Sequence, residues 1–151
     1  MTNVLFVCTG NTCRSPIAES LLKHINIPGV DVKSAGTYAV NGSEASTHTK
    51  KVLDENSIPH SHKSTTVSED LMDWADFILT MTTGHKRTII DMFPHAQAKV
   101  FTLKEFAKME GYPDIADPFG GSVEQYRHTY IEIKEAIEKI VDILKEHTSF
   151  K

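Results

Sequence analysis

Two cysteines, Cys8 and Cys13, are the only thiols of this 151-residue chain, and both fall in the stretch Cys8-Thr9-Gly10-Asn11-Thr12-Cys13-Arg14-Ser15. A cysteine thiolate is a strong nucleophile, and an arginine guanidinium offers a planar fork that grips two oxygens of a phosphoryl group. The five residues between Cys8 and Arg14 suffice to wrap one tetrahedral anion and bring the chain back to the helix start. The chemistry this spacing predicts is attack of sulfur on phosphorus, with Arg14 clamping the charge that spreads over the transferred group. Ser15 adds a hydroxyl able to donate to the sulfur.

The flanks supply what such a loop needs. Val4-Leu5-Phe6-Val7 reads as a buried strand, and Pro16 to Leu22 reads as a helix with proline in its first turn. A strand, a tight loop and a helix start form an anion site, because loop amides converge on one point and the helix dipole adds partial positive charge. The same field favours a thiolate at Cys8. Gly10 and Asn11 suit a loop that requires left-handed backbone. The competing reading, a structural cysteine in an ordinary strand–helix turn, would suit a bare C-x5-R but not this denser pattern. The nucleotide-binding alternative G-x4-G-K-[ST] has no match in the chain.

Length predicts one domain over residues 1–151, and a composition of 40% hydrophobic and 24% charged residues is that of a globular protein. No apolar run approaches a membrane span, and no basic start precedes a cleavable apolar segment, so a cytoplasmic location is expected. A net charge of -4 argues against general nucleic-acid binding. In a reducing compartment two thiols in one loop suggest a redox pair, with Cys13 capturing an oxidised Cys8, rather than a structural bridge; the plainer role for Cys13 is apolar packing.

Along the rest of the chain, apolar runs alternate with helical periodicity. Strands are expected over 30–35, 76–81 and 99–103. Helices are expected from Pro16 to about Asn26, with Ile17, Leu21, Leu22 and Ile25 inward; from Ala45 to Asn56; over 68–74; from a Thr83 cap to about Phe93; and from Ser122 to about Lys145. The last carries an apolar stripe from Val123 through Tyr126, Tyr130, Ile133, Ile137 and Ile140 to Leu144, read as a face packed on the sheet. This βαβ alternation predicts an α/β fold of three α/β/α layers on a four-stranded parallel sheet, with the Cys8 loop at the carboxyl ends of the strands. Of the carboxylates in the turn-rich segment 111–121, Asp114 reads as a turn former. His60-x-His62 is too sparse for a metal site.

The loop Cys8–Pro16 resembles the signature of the low-molecular-weight protein tyrosine phosphatase family and, through Thr12, its bacterial protein arginine phosphatases. The likeness covers most of the chain, strongest over 4–22 and 117–121 and thin between 38 and 57. It implies that family's fold and a Cys8 nucleophile, with Arg14 and Asp117 also catalytic. Asp117-Pro118-Phe119-Gly120 resembles the motif that carries the general acid. It implies substrate binding by Thr9, Gly10, Asn11, Thr12, Cys13, Arg14 and Ser15, with walls from Tyr38 and Phe119, and support of Asn11 by Ser34 and His62. It further implies a monomer that needs no cofactor or metal and acts on phosphorylated proteins. Thr12, where tyrosine-specific members carry a larger aliphatic residue, favours phosphoarginine; phosphotyrosine is the alternative. From a different class, a redox sensor or phospho-binding module would share the nest. An arsenate reductase would want resolving cysteines outside the loop, which this chain lacks.

Overall fold

The computed structural model describes residues 1–149. Four strands, β1 (Thr2–Cys8), β2 (Val30–Gly36), β3 (Phe77–Thr80) and β4 (Val100–Thr102), pair in parallel in the order β2-β1-β3-β4. The helices are α1 (Arg14–Ile25), α2 (Thr47–Glu55), α3 (Glu69–Trp74), α4 (Thr83–Met92), α5 (Leu103–Phe106) and α6 (Val123–Ser149), with a 3₁₀ segment at Pro94–Lys99. This is the expected α/β fold on a four-stranded parallel sheet.

β1 is central, and a parallel strand covered on both faces must be apolar throughout. Its alternating side chains divide between two cores. Val4, Phe6 and Cys8 join Ile17, Leu21 and Leu22 of α1 and the α6 stripe. Leu5 and Val7 join Met72 of α3, Ile89 of α4 and Val100. Ile133, Ile137, Ile140 and Leu144 are fully buried, and each contributes about 1.5–3 kcal/mol relative to exposure.

Several boundaries depart from expectation. α1 begins at Arg14, two residues before Pro16, because the loop returns straight into helical geometry with Cys13 as N-cap. Ile25, expected inward, is 40% exposed at the last residue of that helix. The cap of α4 is Thr82, whose hydroxyl accepts the His85 amide, so Thr83 is already helical. β4 stops at Thr102, where a capping box between Thr102 and Glu105 turns Leu103 into α5. α2 starts at Thr47 with Ser46 as its cap.

Candidate active site

The Cys8 loop sits at the carboxyl end of β1, between its two parallel neighbours, and a cavity of about 220 Å³ opens there. Cys8, Thr9, Gly10, Thr12, Cys13, Arg14, Asp117 and Phe119 line it. Asp117 and Phe119 come from more than a hundred residues further along the chain.

At the base, Cys8 is buried and its Sγ lies 2.8 Å from Ser15 Oγ. Ser15 Oγ accepts a hydrogen bond from Asn11 Nδ2 at 2.7 Å, which leaves the serine hydrogen to donate to sulfur. Asn11 is the loop's keystone. It adopts φ 57°, the left-handed conformation that asparagine tolerates better than most residues. Its Nδ2 also donates to Ser34 Oγ (3.0 Å), and its Oδ1 accepts the Thr65 amide (2.9 Å). Its carbonyl accepts from His62 Nε2 (2.6 Å) and Ser64 Oγ (2.8 Å). Gly10, expected to share the left-handed region, does not; only Asn11 makes that turn. The side chains of Asn11 and Ser15 are fully buried and do not line the cavity.

Arg14 is 4% exposed, yet only part of its fork is used. Nη1 donates to the Ile115 carbonyl at 2.9 Å, Nη2 faces Asp117 Oδ2 at 3.6 Å, and Nε has no partner among the described residues. A buried N–H without an acceptor is costly, and an oxyanion in the adjoining cavity would satisfy it. Ile115 is itself tied to the end of β3 through Met81, so the segment carrying Asp117 is anchored to the sheet. Asp117 Oδ1 accepts the Phe119 amide (3.0 Å) in a turn that aims the half-exposed carboxylate back at Arg14.

Thr12 is held from outside the loop: its carbonyl accepts the Ser46 amide and the Thr49 hydroxyl, each at 3.0 Å, at the start of α2. Cys13 is a free, buried thiol 3.4 Å from the Tyr126 hydroxyl. Burial, with Cys13 beside it, pushes the Tyr126 phenol up to about 12. Tyr38, expected at the wall of the entrance, is 78% exposed and stands outside the residues that line the cavity itself; its amide donates to Thr9 O. Phe119, also exposed, does line it. Asp114 lies outside the cavity and accepts the Thr83 amide at the start of α4.

Two participants escaped the sequence analysis. Glu19, on α1, accepts from Ser34 and lies 3.3 Å from His62 Nδ1, behind the Asn11 supports. Burial opposes its ionisation, but hydrogen bonds from His62, Lys23 and Ser34 win and bring its carboxyl down to about 2. His85, buried at the start of α4, contacts Thr9 Oγ1 at 2.7 Å. Burial and the nearby Arg14 lower it to about 4. The available signals were a glutamate between buried positions of an amphipathic helix and a histidine three residues after a cap threonine. His60, by contrast, pairs with Asp54 at the surface.

A protein-arginine-phosphatase of Geobacillus stearothermophilus is 50% identical over 143 residues, covering 94% of this chain and 95% of its own. The low molecular weight protein-tyrosine-phosphatase PtpB of Staphylococcus aureus is 42% identical over 144 residues, covering 93% and 98%. Among solved structures, a cysteine-to-serine variant of the arginine phosphatase YwlE, carrying a phosphorylated active-site serine, superposes with a TM-score of 0.91 at 41% identity, covering 95% of this chain and 96% of its own. The model of the low molecular weight phosphotyrosine protein phosphatases matches residues 3–149, and this chain belongs to that family.

Proposed function

We propose that this protein is a cysteine-dependent phosphatase that removes phosphoryl groups from arginine side chains of proteins through a phosphocysteine intermediate. The observation that carries the reading is the convergence in one small cavity of a buried thiol hydrogen-bonded by Ser15, a guanidinium with an unpartnered buried N–H, and a carboxylate. Cys8 Sγ attacks phosphorus in line with the departing guanidine nitrogen. Loop amides and Arg14 hold the three equatorial oxygens, and Asp117 delivers a proton to the leaving nitrogen. The P–N bond breaks and an S–P bond forms. Asp117, now ionised, takes a proton from a water that attacks the phosphocysteine, and Ser15 donates to the thiolate as it leaves. The relative with a phosphorylated residue at its active-site position supports a covalent intermediate.

The preference for phosphoarginine rests on Thr12 and on the arginine phosphatase from Geobacillus stearothermophilus, 50% identical to this chain. Thr12 takes up less of the cavity than the larger aliphatic residue of the tyrosine-specific pattern and adds a hydroxyl. The similarity to PtpB supports phosphotyrosine as the second reading. In this reading the protein is a single-domain cytoplasmic monomer, Tyr38 touches only substrate residues beyond the cavity, and Cys13 can trap an oxidised Cys8 as a disulfide.

Hydrolysis of matched phosphoarginine and phosphotyrosine peptides by the protein and by Thr12→Ile tests the proposal, with Cys8→Ser as the blank. Phosphoarginine preference that Thr12→Ile shifts toward phosphotyrosine by about 10-fold or more supports it. Better phosphotyrosine turnover, indifferent to Thr12→Ile, returns the chain to the tyrosine-specific reading. Turnover by Cys8→Ser overturns the mechanism.

A further inference from the structure

His85 takes no part in the chemistry above, yet it is the side chain of α4 that reaches the Cys8 loop. Its Nε2 lies 2.7 Å from Thr9 Oγ1 and its Nδ1 lies 3.0 Å from Thr82 Oγ1, the cap of its own helix. Both ring nitrogens are therefore occupied, and the residue is 8% exposed. Thr9 follows the nucleophile directly and lines the cavity, but its side chain is exposed and has no other hydrogen-bond partner among the described residues. On its other side the Thr9 carbonyl accepts the Tyr38 amide. The first residue of the phosphate nest is thus held between the start of α4 and the loop after β2.

We propose that His85 is a positioning residue of the phosphoryl site, a hydrogen-bonding strut that fixes Thr9 and through it the amides that follow Cys8. The inference rests on reading the Cys8 loop as a phosphoryl site. The charged groups facing His85 are Arg14 from α1 and Asp114 and Asp117 from the segment before α6. A cationic ring here would set a second positive charge beside Arg14, whereas a neutral ring keeps one nitrogen as donor and the other as acceptor between two threonine hydroxyls. Burial and Arg14, which hold the ring at about 4, keep it neutral at physiological pH. The loop gains rigidity where it needs it: a displacement of about 1 Å in a group that stabilises a transition state costs on the order of 10²-fold in rate.

The test measures kcat and KM on para-nitrophenyl phosphate and on a phosphoarginine peptide for His85→Ala, His85→Gln, Thr9→Val and the double variant Thr9→Val/His85→Ala. His85→Ala is expected to lower kcat by about 10- to 100-fold on both substrates while KM moves less than about 3-fold, the pattern of an interaction needed in the transition state. His85→Gln, which keeps a donor and an acceptor, should recover most of that loss. Thr9→Val should match His85→Ala, and the double variant should be no worse than either, because both remove one contact. A His85→Ala protein with unchanged kcat and only a lowered Tm overturns the inference, as do additive losses in the double variant. Should His85→Ala not fold, Thr9→Val with unchanged kcat overturns it as well. Cys8→Ser separates the two readings. If it retains turnover, the phosphoryl-site reading fails; if it is dead while His85→Ala is unaffected, this inference alone fails.

Discussion

Asp117 Oδ2 stands 3.6 Å from Arg14 Nη2, joining a half-exposed carboxylate to a guanidinium that is almost wholly buried. The pair is poorly closed: the distance exceeds a good hydrogen bond, and Arg14 Nε has no acceptor. A tight ion pair would consume both charges. With Nη1 held on the Ile115 carbonyl, this loose one leaves Nη2 and Nε to take phosphoryl oxygens and the carboxylate to handle a proton in the proposed mechanism.

Asp117→Asn should therefore cost kcat by about 10²–10⁴-fold on substrates whose leaving group needs a proton. The loss should shrink on an activated aryl phosphate whose phenolate departs unaided. Steady-state rates across a series of aryl phosphates of falling leaving-group pKa measure this, and a uniform loss across the series would remove Asp117 from the role of general acid.

Gly36, at the end of β2, packs against the nest from behind. A Cβ there would come within 2.4 Å of Thr9 O and 3.0 Å of Asn11 N, both backbone atoms. Gly36→Ala must push the loop or the strand, and overpacking of this kind costs about 1–3 kcal/mol. The expected outcome is a lower denaturant midpoint together with at least about a 10-fold loss of kcat/KM on any phosphate ester. Wild-type activity in Gly36→Ala would mean the loop tolerates displacement.

Two groups contribute to how stability responds to acid. Burial and Arg14 bring His85 from 6.5 to about 4 in the folded protein, so between those values the unfolded chain binds the extra proton. Stability is then full above about pH 6.5 and falls as pH drops toward 4. Glu19, brought from 4.5 to about 2 because its hydrogen bonds outweigh burial, continues the loss from about pH 4.5 toward 2. Tm measured against pH should show His85→Gln flattening the upper part of the decline and Glu19→Gln the lower. A wild-type Tm that stays level between pH 6.5 and 4 would contradict the His85 assignment.

The grouping of the reactive side chains was legible because they are packed into one short stretch. Cys8, Arg14 and Ser15 stand in one loop, and the strand before and the helix after them carry their own periodicity and turn residues. The Asp117-Pro118-Phe119 turn was legible only as a motif; nothing local says that it faces Arg14. The alternation of apolar runs with helical stripes was enough for a parallel α/β sheet, since a strand buried on both faces must be apolar and a crossover helix must be amphipathic. Boundaries shifted where capping decided them, as at Thr82 and Thr102, because a single side-chain hydrogen bond moves a helix end by a residue.

What sequence alone determined is a short-range grouping: a thiol, a guanidinium and a hydroxyl within eight residues, whose mutual distances the chain itself restricts. Tertiary structure decided everything that rests on contacts between distant segments. It set Asp117 against Arg14, left Tyr38 outside the cavity, and brought Glu19, His62 and Ser34 behind Asn11. It also joined His85 to Thr9 across 76 positions. A hydrogen bond between remote side chains depends on how two elements pack, and periodicity reports which face is buried but not which polar group it will meet.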